Sequence, residues 1–256
     1  GRIDVFKQKY KPGCTDVPHP HQYWDSDVAK WIEAVAYDLT YRRDEELEQI
    51  IDSIIDDMEK AQWPDGYLNS YFSTCDPEGR WTLVQFMHEL YCCGHMIEAA
   101  VAYYEATGKR KYLDIMCRYA DHVNTVFGPG ENQLHGYPGH PEIELALIKL
   151  YRCTGEERYL KLSEYFINER GTQPHFFDWE MERKGWDPEH IPPIGEYKNM
   201  ERFGRSYFAD GAYARDQAHK PIREQKDAVG HAVCNMYLMC GATDVAAETG
   251  DQSLLD

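Results

Sequence analysis

Three histidines, His88, His140 and His231, stand at or near the starts of apolar helical stretches, in MHELY, YPGHPE and AVGHAV. A neutral imidazole offers one hydrogen-bond donor and one acceptor, which suits the hydroxyls of a sugar. If the helices that carry them run roughly parallel, all three rings project toward one rim. A single histidine is as readily a cap or a satisfied core group, but three in register favour a shared site. Carboxylates lie near the same helix starts: Asp25 and Asp27 before the first, Glu142 and Glu144 after His140. Glycosidases use two carboxylates flanking the scissile bond. Acids at these places also cap helices and complement the helix dipole, and the spacing singles out no acid/base pair and no nucleophile–base motif. His88, Cys92 and His95, at i, i+4 and i+7, could share a helical face with zinc-compatible donors. They would be spread over about 10 Å of rise, too far for one ion to be enclosed. No catalytic residue and no metal ligand is therefore assigned in this chain.

The elements that position these residues form a repeat. A Gly-His pair opens an apolar helical stretch that closes on Thr-Gly at Gly94–Gly108, again at Gly139–Gly155, and more loosely at Gly230–Gly250. The threonines, at 107, 154 and 249, are spaced by about one and then two helical hairpins, and such a period indicates stacked hairpins. The first inner helix is expected to begin at Asp25-Ser26-Asp27, with Val28, Trp31, Ile32, Val35, Ala36 and Leu39 as its core stripe. An outer helix follows from Asp44 to the break at Trp63-Pro64-Asp65-Gly66. The second inner helix is expected to open on a Thr82/Gln85 capping box and run through His88 to Gly108, with its partner over Lys109 to Phe127. The third has Pro141 in its first turn and ends at Cys153, with a partner from Glu156 to Arg170. Thr172 to Lys226 has poor periodicity and reads as a functional excursion with short helices. The last inner helix is expected near Asp227, and its outer partner has only begun at Asp256. The fold class is thus all-α, a helical-hairpin toroid, and residues 1–256 are expected to be an incomplete barrel lacking its C-terminal part and part of its N-terminus.

The formal net charge of −17 argues against nucleic acid or an anionic membrane surface as a partner. No apolar run approaches the roughly 18 residues of a membrane span. The eight cysteines include no CxxC pair and several sit among apolar helical residues, which fits free thiols in a reducing, cytoplasmic compartment.

The segments WDSDVAKWIEAVAY, MHELYCCGHMIEAAVAYYEATG, VFGPGENQLHGYPGHPEIELALIKLYRCTGEERYLKLSEYFINERG and DAVGHAVCNMYL resemble glycoside hydrolase family 127, which contains bacterial β-L-arabinofuranosidases. The resemblance runs in order along nearly the whole chain and is specific around HPEIELAL. It implies an (α/α)6 barrel with added β-sandwich domains. It also implies a zinc-dependent retaining mechanism with a cysteine nucleophile and a glutamate acid/base. In the family these two groups and the zinc ligands fall after the last segment matched here. They are therefore expected beyond Asp256, and Cys92-Cys93 is not the family's later cysteine pair. What the resemblance carries over is sugar binding: His88, Pro138-Gly139-His140 and His231 match positions that contact the arabinofuranose, with Asp25 and Asp27 as weaker candidates beside the pocket. The family often has Asp where this chain has Pro138, so any carboxylate contribution there is lost.

The expected function is the sugar-binding part of an enzyme that removes terminal L-arabinofuranosides from plant-type glycans. The expected partner is a carbohydrate, and a homodimer of the complete enzyme is the assembly considered. The alternatives are a related exo-glycosidase or unsaturated-uronyl hydrolase on the same barrel, which would need Arg or Lys near the histidines, and a non-catalytic sugar-binding fragment. The complete enzyme is expected to use zinc. The 256 residues alone are expected to bind none and to show no glycosidase activity, which metal analysis and an aryl arabinofuranoside assay would check.

Overall fold

The protein is described by a computed structural model over residues 2–7, 20–186 and 210–255. Its helices are α1 (Trp24–Tyr41), α2 (Glu45–Ala61), α3 (Ser70–Cys75), α4 (Glu89–Thr107), α5 (Lys111–Val126), α6 (Ile143–Thr154), α7 (Glu157–Glu169), α8 (Phe176–Lys184), α9 (Asp210–Arg215) and α10 (Ala232–Thr249). Among the described residues there is no strand, only an isolated bridge between Phe127 and Leu134. No helix among them is long and apolar enough to cross a membrane.

The helices alternate between two layers. The inner ones pack in chain order, α1 on α4, α4 on α6 and α6 on α10, while α5 lies against both α2 and α7 outside them. Composition explains the layering. The outer helices carry an apolar stripe and a charged face, as in α2, where Ile51, Ile54, Ile55 and Met58 are buried between exposed acids. By contrast α4 is buried nearly all round, from Glu89 to Tyr103 with few gaps, because helices cover it on several sides. The result is an all-α, barrel-like array of hairpins with one main core. A smaller core of Ile148, Ile167, Leu238, Ala242 and Val245 forms where α10 joins.

The Thr-Gly repeat has one structural meaning in all three places. Gly108, Gly155 and Gly250 lie at φ of +72°, +75° and +75°, each ending an inner helix. The preceding threonine hydroxyl donates to the carbonyl four residues back and accepts from the N–H two residues on, as Thr154 does with Leu150 and Glu156 at 2.7 and 3.3 Å. Thr107 and Thr249 repeat the pattern. The turn therefore stops the helix and launches the return in one step.

Several boundaries differ from the expectation. Helix α1 begins at Trp24, so Asp25, Ser26 and Asp27 form its first turn rather than its cap, and Trp31 is 38% exposed rather than in the core stripe. The Thr82/Gln85 capping box does not form. Thr82 Oγ donates to Gly79, and α4 starts only at Glu89. Pro141 precedes α6 instead of entering its first turn, and α10 begins at Ala232, later than Asp227. Of the irregular stretch 172–226, residues 187–209 lie outside the described residues, while α8 and α9 supply short helices in the rest. Cys14 and Asp256 also lie outside the described residues. The expectation that the family's acid/base and nucleophile come after Asp256 therefore concerns no residue described here.

A Cβ added at Gly155 would meet nothing within 4 Å, so Gly155→Ala isolates the backbone cost of the left-handed turn. It should destabilise the fold by about 1 kcal/mol, read as a lower urea midpoint at unchanged slope.

Candidate functional site

The segment that presents His88 is held by two buried carboxylates, Glu180 from far along the chain and Glu89 from the helix it leads into. Glu180 of α8 accepts from the backbone N–H groups of Val84 and Gln85 at 2.6 and 3.1 Å. Glu89 accepts from the Trp81 N–H at 3.0 Å and from the Tyr67 hydroxyl at 2.6 Å. Burial pushes these carboxyls up, to about 7 for Glu180 and about 8 for Glu89, against the hydrogen bonds that lower them. These ties pull 81–88 out of helical register, which is why the expected capping box fails and His88 becomes the N-cap of α4 at φ +57°. Gly139 packs against this segment so closely that a Cβ there would lie 2.0 Å from the Gln85 carbonyl oxygen.

The three histidines come together. The ring centroids of His88 and His140 are 6.0 Å apart, as are those of His140 and His231. Tyr91 lies against both His88 and His140, at 5.5 and 4.6 Å, and Tyr237 lies 5.7 Å from His140. Tyr23, the N-cap of α1, touches His88 at 5.7 Å. The starts of all four inner helices therefore meet here, as the register of the sequence requires.

Backbone contacts fix the hydrogen-bonding character of each ring. His88 and His140 direct Nδ1 at the carbonyls of Phe86 and Pro141, at 2.7 and 2.8 Å. Donation there places the proton on Nδ1 and leaves Nε2 as an acceptor. His231 does the reverse: its Nδ1 accepts from the Cys234 N–H at 3.3 Å, so its proton sits on Nε2, a donor. Burial lowers the pKa of His88 to about 4 and of His140 to about 3, overcoming the carbonyl bonds that raise them. The charge of Arg215 lowers both further. The cluster at neutral pH is uncharged at these two rings, with two acceptors and one donor, a pattern for a neutral polyol.

The other expected site residues have structural duties. Pro138 is buried and gives its carbonyl to Arg170 Nη2 at 2.7 Å. The Asp25 carboxylate is buried and accepts from both the N–H and the hydroxyl of Ser70, anchoring α3. It does not join the histidines. Asp27 pairs with Arg2 at 2.5 Å, with both side chains partly exposed. Glu142 is the N-cap of α6 but makes no side-chain cap, and Glu144 in the first turn reaches back, its Oε2 accepting from the Glu142 N–H at 2.9 Å.

Sequence patterning missed Arg170, the organising cation, and Asp216. Arg170 is fully buried at the end of α7 and donates to Asp216 O, Pro138 O and Glu144 Oε1 at 2.8, 2.7 and 3.0 Å. Only its place immediately before Gly171 marked it, and that signal reads as a helix end. Tyr91 and Tyr237 were likewise hidden among core aromatics.

His140, His231 and Cys234 offer donors within 4.8 Å of one another, types that zinc accepts. Yet the Cys234 N–H on His231 Nδ1 leaves that ring's proton on Nε2, burial pushes the Cys234 thiol up to about 12, and none of the three carries a buried orphaned atom. This set does not fit the zinc that the family resemblance implies, and no step is derived through that ion.

The sequence profile of the GH127 β-L-arabinofuranosidase catalytic domain matches residues 3–256. The chain belongs to this glycoside hydrolase family. It is 41% identical over 242 residues to a non-reducing end β-L-arabinofuranosidase of Bifidobacterium longum subsp. longum, covering 93% of this chain and 34% of that protein. Its fold is similar to a crystal structure of a GH127 β-L-arabinofuranosidase from Geobacillus stearothermophilus T6, with TM-score 0.88 and 50% identity over 99% of this chain and 37% of the other. A solved GH127 β-arabinofuranosidase is similar at TM-score 0.80 and 37% identity, over 100% of this chain and 36% of that one. The chain thus spans about a third of the length of these relatives.

The depressed histidines give a signed pH dependence. An unfolded histidine takes up its proton near its ordinary 6.5, so the unfolded state gains protons first as pH falls. Stability from the neutral His140 is complete above 6.5 and is lost as pH drops toward about 3. Asp25, Glu180 and Glu89, raised by burial to about 6, 7 and 8, act in the opposite direction. His140→Gln removes the ring's share alone, so its stability should fall less than the wild type's between pH 6.5 and 4. The expected difference is up to about 1.4 kcal/mol per pH unit, measured by urea unfolding at each pH.

Proposed function

We propose that this chain supplies the sugar-binding wall of a hydrolase that releases terminal β-L-arabinofuranosides from plant-type glycans. The observation that carries the reading is the layer of His88, His140 and His231, whose successive rings are 6.0 Å apart and held by backbone contacts. Two Nε2 acceptors and one Nε2–H donor would orient the ring hydroxyls of a furanose. Tyr91 and Tyr237 border the layer with apolar faces and exclude water from one side. The neutral His88 and His140 rings suit an uncharged sugar, because they bind it without demanding a counter-charge. In this reading the array closes into an (α/α)6 toroid, zinc is held by ligands other than the histidine layer, and the enzyme works in the cytoplasm, a compartment that suits the free thiols among the described cysteines.

The uronyl-hydrolase alternative requires a cation at the histidines. Arg215 is close enough to affect His88 and His140, but its guanidinium is engaged by Asp216. That charge is not free for a substrate carboxylate, and the neutral-sugar reading is preferred.

In the enzyme that contains this chain, His88→Ala, His140→Ala and His231→Ala should each lower kcat/KM for an aryl β-L-arabinofuranoside roughly 5- to 150-fold, the kinetic equivalent of about 1–3 kcal/mol for a lost hydrogen bond with its partner left unsatisfied. Circular dichroism should show the fold retained. Unchanged kcat/KM in all three variants would remove the histidine layer from the sugar site.

A further inference from the structure

Beneath the histidine layer lies a second cluster that sugar binding does not use. His95 and Glu98 of α4 meet Glu142 at the start of α6, and Tyr91 separates the two levels, 4.5 Å from His95 and 4.6 Å from His140. The three side chains are almost wholly buried, at 3%, 7% and 0% exposure. Gly94 permits the approach, since a Cβ there would stand 2.7 Å from Glu142 Cγ. A cleft of about 720 Å³, bounded by Lys30, Glu33, His95, Glu98, Lys149 and Tyr237, connects the cluster to the surface.

The cluster is unsatisfied. His95 Nδ1 lies 3.3 Å from Glu98 Oε2 and 3.2 Å from Glu142 Oε1. Even so, both ring nitrogens of His95 and both carboxylate oxygens of Glu142 lack an aligned hydrogen-bond partner. Orphaned polar atoms at this depth cost about 1–3 kcal/mol each, more when charged, so something should occupy the gap.

Charge limits what that can be. Glu33, Glu98 and Glu142 bring three carboxylates. Lys149 pairs with Glu98 and lies 3.8 Å from Glu33, while Lys30 donates to Tyr91 at 2.7 Å. One negative charge is left over when Glu142 is ionised. Either a proton on Glu142 or a cation can absorb it. Burial does raise the Glu142 carboxyl well above its usual range. A proton, however, satisfies one oxygen of Glu142 and leaves His95 Nδ1 shared between two carboxylate oxygens at 3.3 and 3.2 Å, aligned with neither.

We propose that His95 Nδ1, Glu98 Oε2 and Glu142 Oε1 bind a divalent transition-metal ion of the zinc type. Ligand atoms about 2.0–2.1 Å from such an ion stand about 3.3–3.4 Å apart along a tetrahedral edge. The observed separations of 3.3 and 3.2 Å from the His95 nitrogen match that edge. One ligand atom from each of the three residues lies within 4.8 Å of the other two. The cleft leaves a fourth position open to water. The ion satisfies a ring nitrogen and two carboxylates at once, and it replaces the expectation that the chain holds no metal. The family resemblance assigns zinc to none of these three residues, so the site stands or falls apart from the arabinofuranosidase reading.

The test strips the purified chain with a chelator, then adds Zn2+ or Co2+ and follows bound metal, the Co2+ visible spectrum and the melting temperature. The wild type should take up about one equivalent, melt higher when loaded, and give a tetrahedral Co2+ spectrum without a thiolate band. Glu142→Gln mimics the protonated acid, so it separates the two occupants. It should lose the ion and the metal-dependent rise in Tm, while Cys234→Ser keeps both. The proposal is overturned if the wild type takes up no ion, or if Glu142→Gln binds as the wild type does. It is equally overturned if Cys234→Ser abolishes uptake or a thiolate band appears, either of which would move the ion to His140, His231 and Cys234. Should Glu142→Gln fail to fold, the wild-type Co2+ spectrum and the Cys234→Ser uptake still decide the matter.

Discussion

The buried guanidinium of Arg170 is the contact on which the site depends. It joins two parts of the chain that are far apart in sequence: the Pro138 carbonyl and Glu144 at the start of α6, and the Asp216 carbonyl after α9. It also lies over the Tyr137 ring at 5.1 Å. A cation buried this deeply is tolerable only because carbonyls, a carboxylate and an aromatic face surround it. The planar fork sets directions as well as charge, so it fixes the 138–142 turn relative to the 214–218 turn. Those two turns carry His140 and lead to His231. Lysine could not hold three acceptors in the same plane.

Around this tie, carboxylates act as substitutes for missing backbone partners. Glu180 and Glu89 fasten the segment before α4, Glu144 fastens the start of α6, and Asp25 fastens α3. Each takes backbone N–H groups at or before a helix start that no helical carbonyl reaches. The inner helices can consequently begin with residues chosen for their side chains, such as His88 in a left-handed conformation. Burying four acids is costly, and the hydrogen bonds they accept offset that cost.

Much of this was legible beforehand, and the limits have physical causes. Periodicity exposed the inner and outer helices because burial on one face imposes a stripe. The Thr-Gly turns were legible because a left-handed C-cap constrains two adjacent residue types at once. The Gly-His repeat pairs His140 and His231 with His95, whereas the ring that joins them is His88, legible only from its place near the start of the same helix. The start of α4 was misread because Glu180, about a hundred residues later, competes for its backbone, and no local signal announces a long-range carboxylate. Arg170 was passed over because it sits where a basic residue merely complements a helix end. Asp25 and Asp27 looked like pocket residues by position, but Ser70 and Arg2 claim them. The meeting of Glu142 with His95 and Glu98 depends on the close approach of two helices at Gly94, which spacing along one helix cannot reveal.

The inner helices α4, α6 and α10 end alike on Thr-Gly, but all the inner helices begin differently, and their beginnings converge on the histidines. Each beginning presents the positive end of a peptide dipole, and at α10 the His231 ring itself takes one of the N–H groups. In a chain of net charge −17, this makes a locally positive basin built from backbone rather than from ionisable groups. Such a potential cannot be titrated away by acid or base, and it cannot be lost by changing any one side chain. An oxygen lone pair entering that basin would meet a field already in place before it arrives.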